Sequence, residues 1–198
     1  MVQQPISLGV VQPTADASSD GPPSASSGAS PSGASFEAEA DELVASLAER
    51  LTALTFADCS ADEVTQLMLD EIVAWGRERG WRVYRRAASV AKLPPPMDKQ
   101  HSYVDVAFAR PEGRPVVIEV DHTDRRRTVD KLLEESAAGR VAIWVRWSSR
   151  AIAAPPDPVR LVAVPVTSNR GLHSRRPDLP VPSHSSTDLA DAEQPDLF

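Results

Sequence analysis

The chain has 198 residues, 18 of them proline and only one cysteine; this is room for one ordinary domain with its own core, and prolines gathered towards the two ends speak against a second. Lone Cys59 excludes an internal disulfide, no run reaches the roughly 20 apolar residues of a membrane span, and the start lacks the basic and apolar stretches of a secretory signal, so a soluble cytoplasmic protein is expected. The net charge of −7 is unevenly spread: residues 1–71 carry 12 acidic and one basic side chain, residues 77–150 carry 16 basic and 10 acidic, and this basic middle suits a phosphate-bearing partner or a merely solvated face.

Residues 1–34 are rich in Ser, Ala, Pro and Gly without periodicity and are expected to be a disordered tail. Ser35 then caps a helix with Leu43, Val44, Leu47, Leu51 and Leu54 at helical spacing. A second helix starts at Ser60, where Glu63 completes a capping box, and stops at Gly80. Strands follow at Arg82 to Arg86, Tyr103 to Arg110 and Pro115 to Asp121. Thr128 to Ala138 reads as a helix with Val129, Leu132, Leu133 and Ser136 on one face, closed by Gly139. Val141 to Trp147 is an apolar strand that looks buried on both sides. A strand-helix-strand crossover makes that last strand parallel to its predecessor, so the domain, residues 35–165, is expected to be α/β with a mixed sheet. Residues 166–198 read as a second disordered tail.

The middle strands carry the chemistry. Val104, Val106 and Phe108 alternate with Tyr103, Asp105 and Ala107; Val116, Ile118 and Val120 alternate with Val117, Glu119 and Asp121. Pro111, Glu112 and Gly113 suit a three-residue hairpin loop, which pairs Arg110 with Arg114 and therefore sets Asp105 opposite Glu119. Side chains so opposed lie about 5 Å apart, and like charges there repel. A positive group is expected between them. On the second helix Glu71 falls within the stripe of Val64, Leu67, Met68, Ile72 and Trp75. It either joins the strand acids, or sits near the helix edge and snorkels outward or pairs with an arginine such as Arg82 or Arg85.

With Asp105 on one hairpin strand and Glu119-Val120-Asp121 on the next, residues 60–147 resemble the PD-(D/E)XK nuclease superfamily, the restriction-endonuclease-like fold. The resemblance implies that Asp105 and Glu119 bind Mg²⁺ or Mn²⁺ and that Glu71 is the assisting helix acid. It also implies a lysine two residues after the second acid, where this chain has Asp121, a further ligand or water-orienting group. Some members are thought to supply the lysine from the following helix, where Lys131 stands, but a wheel drawn on Val129 turns Lys131 away from the sheet. Arg125, Arg126 and Arg127 are candidates to hold a DNA backbone, being too basic to act as general bases. Converging carboxylates suit Mg²⁺ or Mn²⁺ better than zinc. His101 and His122 lack zinc-type spacing, and Trp144 and Trp147 read as core.

At the chain end, Gln194, Asp196, Leu197 and Phe198 match four of five positions of the pentapeptide by which bacterial replication and repair proteins bind the DNA sliding clamp; Pro195 departs. Gln4 to Leu8 is a looser echo. These signals imply a metal-dependent DNA nuclease recruited to the clamp for DNA repair or processing. The alternative is a catalytically inactive nuclease-like adaptor that binds DNA or the clamp, favoured by Asp121 in the lysine position. RNA as substrate stays open.

Overall fold

The structure, a computed structural model, describes residues 33–176. The Gln194 to Phe198 peptide and the Gln4 to Leu8 echo lie outside the described residues, as do residues 1–32 and 177–198 of the two expected tails. Helix α1 spans Gly33–Thr52, with Ser35 inside its first turn instead of capping it. Its buried side chains are Ala40, Leu43, Leu47 and Leu51, the i, i+4 series legible in the sequence. A short strand β1 (Phe56–Cys59), not foreseen, precedes helix α2 (Ala61–Glu78). The Ser60–Glu63 capping box is present in both directions, and Gly80, at φ +71°, follows the helix end.

Strands β2 (Arg82–Lys92), β3 (His101–Ala109), β4 (Val116–Asp121), β5 (Val141–Ser148) and β6 (Arg160–Pro165) form one sheet in sequence order. Helix α3 (Arg126–Ala137) separates β4 from β5. Pairs β2–β3 and β3–β4 are antiparallel, while β4–β5 and β5–β6 are parallel. The sheet is therefore mixed, and the parallel step falls at the helical crossover where it was expected. Strand β6 had not been anticipated. The hairpin register matches the expected one: Val106 faces Ile118, Ala107 faces Val117 and Phe108 faces Val116. Glu39 of α1 fixes the loop by taking Arg110 Nη1 at 2.5 Å and Arg114 Nε at 3.0 Å.

The sheet is covered on both faces. Helices α1 and α2 pack on Val106, Phe108, Val116, Ile118, Ile143, Val145 and Trp147. Leu132 of α3 packs on Val117, Ala142 and Trp144. Strand β5 is buried over seven of its eight residues, as a strand between two helical layers must be. The expected tail beyond residue 165 continues the fold: β7 (Thr167–Asn169) and β8 (Leu172–Arg175) form a hairpin, and β8 pairs with β1. These polar strands show no apolar alternation, so nothing local announces them. Backbone pairing holds them, with Arg175 Nη2 donating to the Thr52 carbonyl at 2.6 Å. Among the described residues no helix is long and apolar enough to cross a membrane.

Helix α2 approaches the sheet tightly at Gly76, where a Cβ would stand 2.1 Å from Phe108 Cε1. Phe108 cannot yield, because its ring is locked edge-on against Trp75 and Trp81, with centroids 5.7 Å from each. Gly76→Ala is expected to lower stability by about 1–3 kcal/mol despite the better helix propensity of alanine. Urea unfolding checks this, and an unchanged midpoint would mean the helix is not seated on that ring.

Candidate functional site

Asp105, on β3, and Glu119, on β4, line one open hollow of about 420 Å³ together with Asp121, Arg125, Arg127 and Lys131. Glu119 alternates with Val120, which faces α1 and α2, and shares the side of Val117, so it points to the α3 layer. The β3–β4 pairing runs from Phe108 to Val106, and beyond it the Val120 N–H donates to Asp105 Oδ2 at 2.9 Å. That bond fixes Asp105 beside the strand of its partner acid. Burial pushes the Asp105 carboxyl above its usual range, against the pull of the Val120 N–H and the Lys131 charge. Burial and the neighbouring Asp105 charge push Glu119 up to about 7.

The positive group between the acids is Lys131. Its Nζ donates to Glu119 Oε1 at 2.6 Å and to the Tyr103 carbonyl at 2.6 Å. This overturns the expectation that Lys131 turns away from the sheet. The wheel was centred on Val129, yet the face that α3 buries is Thr128, Leu132 and Glu135, with Lys131 beside them. Glu135 is wholly buried. It is satisfied by Ser89 Oγ, by the Val90 N–H at 2.8 Å and by Arg140, which rotates the helix towards β2. With that rotation Lys131 lands at the acids.

Asp121 is also here, but it is held: Oδ2 accepts from Trp144 Nε1 at 3.1 Å and Oδ1 lies 3.6 Å from Arg125 Nε. Arg146, buried in β5, bonds the Asp121 carbonyl at 3.2 Å and Asp124 at 2.7 Å, and so fixes the loop that leads through Arg125 into the first turn of α3, where Arg126 and Arg127 stand. Sequence reasoning missed Arg146 and the polar use of Trp144. The available signal was a charged residue in an otherwise apolar strand, which demands a partner. Arg126 points away and pairs weakly with Asp130 at 3.9 Å. His101 serves the β2–β3 hairpin, its Nδ1 lying 2.9 Å from the Ser89 carbonyl.

Glu71 does not join the cluster. It stands on α2, across the sheet from Asp105 and Glu119, and pairs with Arg50 Nε at 2.7 Å, not with Arg82 or Arg85. The buried stripe of α2 extends to Val73 and Gly76 and leaves Leu67 exposed, which puts Glu71 at its margin, 34% exposed. As a metal ligand beside the strand acids it is ruled out by placement.

Among the described residues no three acidic, histidine or cysteine side chains converge closely enough to hold an ion by themselves. The donor set at the hollow is two carboxylates. Beyond the bonds given above, neither Asp105 Oδ1 nor Glu119 Oε2 meets a hydrogen-bond donor among the described residues, and neither oxygen is sealed from solvent by them. Two free carboxylate oxygens facing an open hollow fit a hard divalent cation that keeps several waters. Neither a family model, nor a curated protein, nor a solved structure matches the chain.

Because Glu119 binds its proton more tightly folded than unfolded, its ionisation costs stability. The sign follows: metal-free protein loses stability as pH rises from about 4.5 to about 7 and levels off above, while Glu119→Gln removes that fall. Thermal unfolding at stepped pH checks this, and identical slopes in the two proteins would refute the buried, acid-coupled setting of Glu119.

Proposed function

We propose that the protein is a Mg²⁺- or Mn²⁺-dependent DNA nuclease of the restriction-endonuclease-like kind, hydrolysing phosphodiester bonds at Asp105 and Glu119. The observation that carries this reading is Lys131 Nζ on Glu119, beside Asp105, at the open end of an antiparallel pair. It supplies from α3 the lysine that the Glu119-Val120-Asp121 segment lacks. A bound divalent cation supplies Lewis acidity and a hydroxide-like nucleophile near neutral pH. Asp105 and Glu119 would hold it through the carboxylate oxygens left open to the hollow. Lys131 spends two of its three N–H donors on Glu119 and Tyr103, and its third is free to orient water or a phosphate oxygen. Arg125 and Arg127, at the rim, take the backbone on either side. The raised acid at Glu119 makes cation binding proton-linked, so affinity rises with pH through about 7.

The Gln194 to Phe198 peptide completes the proposal. Leu197 and Phe198 offer apolar anchors for a pocket on the bacterial sliding clamp, bringing the nuclease to DNA under replication or repair. The second reading, an inactive DNA- or clamp-binding adaptor, draws on the absence of a third converging ligand among the described residues.

With single- and double-stranded DNA and Mn²⁺, cleavage is expected. Asp105→Asn, Glu119→Gln and Lys131→Met should each reduce it by at least about 100-fold, the scale of losing several kcal/mol of charge stabilisation. Cutting that survives these changes would remove the site from the proposal, and no cutting of any DNA would favour the adaptor. Deleting residues 194–198 is expected to abolish capture on immobilised sliding clamp while leaving cleavage intact; capture that persists would dispose of the tail motif.

A further inference from the structure

A second hollow, of about 520 Å³, adjoins the first; Arg85, Arg86 and Gln66 line it, and Tyr103 and Asp105 line both. Tyr103 thus stands on the divide, two residues before the acid, and is 55% exposed. Its backbone is fixed by β3 pairing and by Lys131 on its carbonyl, so the ring is presented from a rigid base. The Arg86 guanidinium lies over that ring, 5.8 Å from its centroid.

Arg86 is placed unusually. The flanking pairs Arg85–Val106 and Ala87–Val104 set it across from Asp105, and its φ of 50° lies in the left-handed region that residues other than glycine seldom adopt. Such strain persists only where the surroundings enforce it, and it recurs at binding sites. Arg85 is paired with Asp70, but Arg86 has no carboxylate partner among the described residues, and neither has Arg127 on the far side of the acids. The two hollows, taken together as one groove, therefore hold an exposed aromatic ring at their shared boundary, with Arg86 over that ring in one and Arg127 in the other, neither paired with a carboxylate among the described residues.

An alternation of cation, aromatic face and cation matches a strand of alternating phosphates and free bases. A duplex offers the ring no base face, since its bases are stacked on one another. We propose that this groove binds single-stranded nucleic acid, with Tyr103 stacking an unpaired base next to Asp105 and with Arg86 and Arg127 taking the flanking phosphates. The inference rests on the nucleic-acid part of the proposed function and not on hydrolysis.

Fluorescence anisotropy in EDTA separates the two, using a labelled oligothymidylate and a duplex of equal length. Tyr103→Ala is expected to weaken oligothymidylate binding by about 5- to 100-fold. Tyr103→Phe, which keeps the ring face, should bind like the original protein, and duplex affinity should be the same for all three. The inference is overturned if Tyr103→Ala binds oligothymidylate unchanged, if it loses both DNAs equally, or if the original protein binds neither. Tyr103-dependent binding by a protein that cuts nothing in Mn²⁺ would uphold the stacking platform while removing hydrolysis from the function.

Discussion

Everything at the site follows from two carboxylates brought together where β3 parts from β4. An antiparallel ladder carried through to Glu119 would crowd two like charges between strands. Instead the pairing stops at Val106–Ile118, and Asp105 spends one oxygen on the Val120 N–H. The strands open there into solvent, and each acid retains an oxygen facing the hollow. Repulsion is offset by one ammonium group, from Lys131, and not fully: both acids still hold their protons more tightly than in water. A site so poised favours a further positive charge.

That ammonium group depends on packing far from it. Glu135 is buried without exposure yet meets Ser89, the Val90 N–H and Arg140, so its charge is compensated from three directions. The same contacts tie the far arm of the β2–β3 hairpin to α3. Because Tyr103 and Lys131 belong to these two elements, the bond between them registers the hairpin against the helix. On the opposite face Glu39 grips Arg110 and Arg114 and holds the hairpin loop to α1. The acids are thus supported from both layers.

Part of the basic middle of the chain is consumed by such roles. Arg85, Arg110, Arg114, Arg140 and Arg146 each answer a carboxylate, and Arg146 is buried beneath the loop it steadies. Net charge therefore overstates the surface free to meet a phosphate. What matters is where uncommitted cations remain, and Arg86 and Arg127 flank the acids on either side.

Local rules determined much of this protein from its sequence alone. Period-2 alternation and a Pro-Glu-Gly loop set the hairpin register, the Ser60–Glu63 box started α2, and a helical crossover made β5 parallel to β4. These features depend on neighbours in the chain, so pattern suffices. The rotation of α3, the isolation of Glu71 and the pairing of β8 with β1 depend on partners remote in the chain, 116 residues apart in the case of Asp58 and Ser174. A wheel that sorts residues by hydrophobicity turns Lys131 away from the sheet and puts Glu71 within the buried stripe. Tertiary structure reversed each choice, because a buried charge goes where its hydrogen-bonding partners are, and only the folded chain brings those partners together.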